Sequence, residues 1–260
     1  MQKETGVQEA NSPEQGKIIA VVSNKGGVGT TTAATNIATN LARGNRAVCL
    51  VDLIFQFGSV TSFLNVEPAY SILDLAKSLR RADPLLLEDA LVQHVSGVWV
   101  LAEPLHAAAE RRIKPAEVDE IFDRLAQFFG FVVIDSPKAF DDMQLLVLDR
   151  AEIILFVTEM DLPSLKSARQ SFDHFQRMGV DTGKLRVLLN RYIEIDMMDL
   201  KAVERILGMR VFWTLPNNYP VVVSAVNQGV PIGACDYTSD IARSYSGLPD
   251  ALIRSIAVAG

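Results

Sequence analysis

The sequence predicts an α/β protein: a doubly wound, mostly parallel sheet of about seven strands flanked by helices. Three observations carry that reading. Short runs rich in Val, Ile and Leu alternate with longer amphipathic stretches. The short runs are apolar on both faces, as strands covered from both sides must be. The links between them are short, and no Pro-, Gly- or Ser-rich linker divides the chain.

The strand candidates are residues 17–22, 47–52, 98–101, 131–135, 153–158, 185–190 and 211–215. After the first, Ala33, Ile37 and Leu41 recur at helical spacing, and Gly44 reads as the stop. Pro115 opens a helix carrying Val118, Ile121, Phe122, Leu125 and Phe129, closed by Gly130. Another helix runs from near Pro163 to Gly179. Residues 67–94 read as a helical excursion on the sheet edge, without a strand. Residues 1–16 are mostly polar and are expected to be a flexible tail, with one folded domain over 17–260.

The 260 residues carry a net charge of −6, which argues against a broad DNA-coating surface. Two cysteines, Cys49 and Cys235, exclude a disulfide framework and suit a reducing cytosol. The three histidines and two cysteines show no metal-ligand spacing. No apolar run reaches membrane-spanning length.

The most informative segment is Ser23-Asn24-Lys25-Gly26-Gly27-Val28-Gly29-Thr30-Thr31-Thr32. It follows an apolar strand and opens a helix. Glycines let backbone approach an anion, and N–H groups at a helix N-terminus point at it. The Thr31 hydroxyl is placed to reach a phosphate-bound Mg²⁺. A tight strand-to-helix turn is the bland alternative. Three glycines in four residues, followed by three threonines, favour phosphate binding.

These residues resemble the deviant phosphate loop of the ParA/MinD class of P-loop ATPases. The resemblance covers the chain from about Lys17 to its end. It implies ATP and Mg²⁺ as cofactors, bound by Lys25, Gly26, Gly27, Val28, Gly29, Thr30, Thr31 and Thr32. It also implies a nucleotide-sandwich homodimer in which Lys25 reaches the partner's phosphates. The usual second loop lysine is replaced by Thr30, which removes positive charge from the β/γ-phosphates.

The resemblance further assigns Asp52 and Asp135 to the Mg²⁺ shell with Thr31, and makes both carboxylates switch candidates. Asp135 ends a Phe-Val-Val-Ile strand, and Ser136-Pro137 follows as the second switch. The class's water-orienting aspartate is replaced by Ile54, which cannot accept a hydrogen bond. No catalytic residue is therefore assigned. Asn190 and Arg191, with Pro216 and Asn217, resemble the class's adenine contacts; a strand-end turn residue is the bland alternative for Asn190.

Within the class, Val-Asp-Leu-x-x-Gln-Phe-Gly, Thr158-Glu-Met-Asp-Leu-Pro and Leu215-Pro-Asn-Asn-Tyr look most like the TadZ/CpaE group of Tad-type pilus assembly. That resemblance implies an ATP-dependent dimeric platform with weak or absent hydrolysis. It would be cytoplasmic, recruited to pilus assembly proteins at the inner face of the membrane or the cell pole. The alternatives are a ParA-type DNA-partitioning ATPase, a MinD-like membrane cycler and a nucleotide-free scaffold. DNA is disfavoured because Lys201, Arg205, Arg210, Arg243 and Arg254 are interleaved with Glu204, Asp236, Asp240 and Asp250. A membrane-binding end is disfavoured because residues 248–258 hold a single cation, Arg254.

Overall fold

The computed structural model describes residues 15–55, 58–81, 87–103, 113–138, 140–194 and 198–259. Most of the expected tail and the Gln56-Phe57 pair lie outside the described residues. In chain order the first elements are β1 (Lys17–Val22), α1 (Thr30–Ala42), β2 (Val48–Asp52), α2 (Val60–Leu64), α3 (Ile72–Arg81) and α4 (Leu87–Ala90). Then come β3 (Leu91–Gln93), β4 (Trp99–Leu101), α5 (Pro115–Phe128), β5 (Phe131–Asp135), α6 (Asp142–Arg150), β6 (Ile153–Glu159) and α7 (Leu162–Arg177). The last are β7 (Leu185–Tyr192), α8 (Leu200–Leu207), β8 (Val211–Pro216), α9 (Tyr219–Gln228), α10 (Ile232–Cys235) and α11 (Asp240–Ala259).

The sheet has eight strands in the order β3-β4-β2-β5-β1-β6-β7-β8. All neighbours are parallel except β3 and β4. The seven strands expected from sequence are all present, 17–22 and 131–135 with the expected bounds and the others shifted by one or two residues. The eighth, β3, corrects the expectation that residues 67–94 hold no strand. Its three residues pair with β4 across a tight turn in which Gly97 takes φ 90°. A three-residue edge strand is too short for an alternation signal, although the Ser96-Gly97 dipeptide is a turn signal.

Each sheet face is buried by its own helices. One core joins Ile18, Ala20, Val22, Val132 and Ile134 to Phe122 of α5 and Phe172 of α7. The other joins Ile19, Val21, Leu50 and Leu155 to Ile37 of α1 and to Tyr245, Leu248 and Leu252 of α11. This two-sided burial is why the strands read as continuous apolar runs.

Helix stops were only partly legible. The left-handed residue after α1 is Asn45 (φ 55°) rather than Gly44. Helix α5 ends with Phe129 extended, whereas Gly179 does take a positive φ. Helix α1 is buried on nearly every side and still carries Thr35, Asn36, Thr39 and Asn40. Their side chains donate to carbonyls three or four residues back, so no polar burial is left uncompensated there. The Asn36 Oδ1 also accepts from the Ile232 N–H at 2.8 Å, which ties the helix to α10.

Candidate functional site

Register builds the site before any side chain does. β1 lies between β5 and β6, and its C-terminal end releases the glycine loop into α1. Asp135 is level with Val21 on one side and Asp52 on the other. Both expected carboxylates therefore stand at the C-terminal edge of the sheet beside the loop, where open α/β sheets bind ligands. Both are completely buried.

The loop has the form of an anion cradle. Gly27 (φ 79°) and Gly29 (φ 93°) lie in the left-handed region, and Gly29 is the N-cap of α1. A Cβ on Gly29 would stand 2.4 Å from the Asn190 Nδ2, so glycine is needed there for space as well as backbone. The N-terminus of α1 has no capping side chain and no acidic residue in its first turn. Its leading N–H groups are thus left for an external acceptor.

Thr31 meets Asp135 directly, donating through Oγ1 to the Asp135 Oδ2 at 2.6 Å. The other Asp135 oxygen is buried and, among the described residues, has no hydrogen-bond partner. Burial pushes the Asp135 carboxyl up to about 7; Thr31 and the Lys138 charge oppose this, and the Glu103 charge adds to it. Burial, then the charges of Asp135 and Glu103, also hold Asp52 well above the carboxylate range. An unpartnered, desolvated oxygen beside a second carboxylate is what a cation would relieve. The donor set of hydroxyl and carboxylates suits Mg²⁺. No three His, Cys, Asp or Glu among the described residues converge tightly enough to hold a metal by themselves. Mg²⁺ keeps several waters, so this chain would need to supply only part of its shell.

Asp52 is also occupied locally. Its Oδ1 accepts from the Ile54 N–H at 2.8 Å and its Oδ2 from the Val60 N–H at 3.2 Å, so it holds the turn after β2. Thr30 is 5% exposed, and its hydroxyl donates back to the Ser23 Oγ at 2.7 Å. That hydroxyl is thereby committed within the loop. Ile54 lines a cavity of about 400 Å³ together with Leu53, Phe55, Pro137, Lys138 and Met143. The segments that follow β2 and β5 thus line the same cavity.

Lys25 turns onto the start of α7. Its Nζ donates to the Ser164 Oγ at 2.9 Å and lies 3.6 Å from both Glu159 and Asp161. Asp161 is the N-cap of α7, accepting from the Ser164 N–H at 2.9 Å. Its burial is slight, and the Ser164 bonds together with Lys25 hold its carboxyl below the ordinary range.

The expected base contacts meet at one place. Thr32, Asn190, Arg191, Pro216 and Asn217 line a small cleft with Tyr219 and Tyr245. In this structure the Asn190 Nδ2 donates to the Val28 carbonyl at 2.7 Å. Arg191, at φ 52°, donates to the Gly27 carbonyl at 3.0 Å and pairs with Glu159. The end of β7 therefore braces the loop from the side. Sequence reading missed Glu103 and Lys138. Glu103 has no motif around it, and one of its oxygens is buried and, among the described residues, unpartnered. Lys138 follows Ser136-Pro137 directly, and that position was the only available signal.

Comparison with known proteins agrees with this fold. The chain is 25% identical over 242 residues to the septum site-determining protein MinD of Thermotoga maritima, covering 90% of this chain and 86% of that protein. Its fold matches a ParA family ATPase from Chlorobium tepidum at TM-score 0.83 and 20% identity, over 92% and 98% of the two chains. It also matches the MinD protein of Pyrococcus horikoshii, solved with Mg-ADP, at TM-score 0.79 and 20% identity, over 94% and 98%. The AAA_31 family model, an AAA domain, matches residues 16–183, and the chain belongs to this family of ParA/MinD-type P-loop ATPases.

Proposed function

We propose that residues 17–260 bind ATP with Mg²⁺ at the glycine loop, dimerise in that state and hydrolyse the nucleotide slowly or not at all. One observation carries the binding half. The uncapped N-terminus of α1, behind two left-handed glycines, opens beside a buried carboxylate with a free oxygen. Gly26, Gly27 and Gly29 let phosphate oxygens meet backbone N–H groups. Thr31 and Asp135 would hold the Mg²⁺ shell, with Asp52 behind them. Bound Mg²⁺ supplies the positive charge that neutralises the phosphate oxygens. The cleft of Asn190, Arg191, Pro216 and Asn217 would take the base.

Slow turnover follows from Thr30 and Ile54. Neither supplies the charged group that the class uses at that place, and Ile54 sits in a largely apolar wall. A long-lived nucleotide state suits a platform that marks a position and gathers partners. Lys25, now held by acids of its own chain, would exchange them for the phosphates of a partner subunit.

For the finer role, the MinD and ParA relatives support a positioning ATPase of their kind over the pilus-assembly role that the TadZ/CpaE resemblance suggested. The groove beside α8 does not favour DNA: Lys201, Arg205 and Arg210 share it with Asp199 and Glu204. Among the described residues no helix is long and apolar enough to cross a membrane. In the last helix, Leu248 and Leu252 are buried in the core.

The test is a fluorescent-ATP titration with and without Mg²⁺, followed by light scattering to read the oligomer. Saturable, Mg²⁺-strengthened binding and ATP-dependent doubling of mass are expected. Absence of saturable binding at millimolar nucleotide sinks the proposal. Salt-dependent retention of DNA by the ATP-loaded protein would assign the partitioning role instead.

A further inference from the structure

We propose that Lys138, in the segment after β5, supplies to the bound phosphates the positive charge that Thr30 lacks. The inference rests on the nucleotide reading above. Its starting point is a deficit: the loop's only lysine, Lys25, is drawn away onto Glu159 and Asp161, and position 30 is an uncharged, buried threonine. The loop itself therefore presents backbone N–H groups with no lysine turned toward them, and the neighbouring Arg191 guanidinium is held on the Gly27 carbonyl and on Glu159.

Lys138 fills the gap from the neighbouring strand end. Its Nζ stands 3.6 Å from where a Cβ of Gly26 would lie, and Gly26 has no side chain to hold it off. Lys138 is exposed, and among the described residues it makes no ion pair within 4 Å. Its charge is felt at Asp135 but is not consumed there. It also follows Ser136-Pro137, whose Pro137 carbonyl accepts from the Gln144 Nε2 at 3.0 Å. That bond anchors the segment to α6, so the lysine hangs from a fixed turn. An ammonium on a long flexible stem acts as a point charge and tolerates this change of origin. Because the turn directly continues the strand that ends in Asp135, phosphate contact at Lys138 would also report the nucleotide state to the cavity shared with Ile54 and Phe55.

The experiment measures fluorescent-ATP affinity in Mg²⁺ for wild type, Lys138→Met and Lys138→Arg, with thermal melts as a folding control. The exposed position predicts unchanged melting. Lys138→Met should weaken ATP binding at least tenfold, while Lys138→Arg should stay within about threefold of wild type. Thr30→Lys placed on the Lys138→Met background should recover at least fivefold of the loss. Binding by Lys138→Met within twofold of wild type, a Lys138→Arg variant as weak as Lys138→Met, or no recovery from Thr30→Lys each overturns the inference. All three leave the nucleotide reading standing. Failure of the wild type itself to bind ATP removes both.

Discussion

Replacing Asp135 by asparagine tests the electrostatics of the site without changing any residue of the loop. In the folded chain Asp135 holds its proton up to about pH 7, whereas an ordinary aspartate releases it near 3.8. Between those values the native state binds more protons than the unfolded one, so stability falls as pH rises. The stability gained from the protonated form is complete below about pH 3.8 and gone above about 7. That displacement corresponds to roughly 4 kcal/mol in full, of which about 3 kcal/mol falls between pH 5 and 8. The asparagine side chain cannot ionise, and its amide oxygen can still accept from Thr31. Urea unfolding in EDTA should therefore show Asp135→Asn gaining on wild type by about 3 kcal/mol across that interval. Asp52, also held above its ordinary range by burial and then by the charges of Asp135 and Glu103, contributes a slope of its own in both proteins. Saturating Mg²⁺ and ATP should favour wild type again, because the cation then takes the charge. Parallel pH curves for the two proteins would refute the idea that Asp135 is the destabilised carboxylate.

Two further substitutions probe the loop and its missing groups. Thr30→Lys together with Ile54→Asp should raise ATP turnover, read as steady phosphate release, at least tenfold, because two charged groups return; a wild-type rate already equal to the double variant would show that neither absence limits hydrolysis. Gly29→Ala forces a side chain into φ 93° and onto Asn190, and should cost about 1–3 kcal/mol of stability and most of the ATP affinity. A melting temperature and a binding constant both unchanged would mean that the cradle is not used.

Much of this was legible in sequence because it depends on near neighbours. Continuous Val, Ile and Leu runs announce strands buried on both faces, and the glycines beside Thr31 announce a cradle whatever the sheet around them. Even so, the left-handed residue after α1 is Asn45 and not the expected Gly44, since asparagine can take the same conformation as glycine. The strand Leu91–Gln93 was invisible, since three residues carry no period and its evidence is its partner.

The α/β alternation, the loop, the two strand-end aspartates and the absence of charged groups at Thr30 and Ile54 can all be read from residue order. Folding in three dimensions set what residue order could not: Asp52 and Asp135 level on adjacent strands, one Asp135 oxygen without a partner among the described residues, and Lys25 held by α7. It alone brought Glu103 and Lys138 into range of the same carboxylate. The reason is physical. Backbone propensity and apolar period act over a few residues, whereas strand order and register place groups a hundred positions apart within a hydrogen bond's length. Charge and desolvation act through that space, not along the chain.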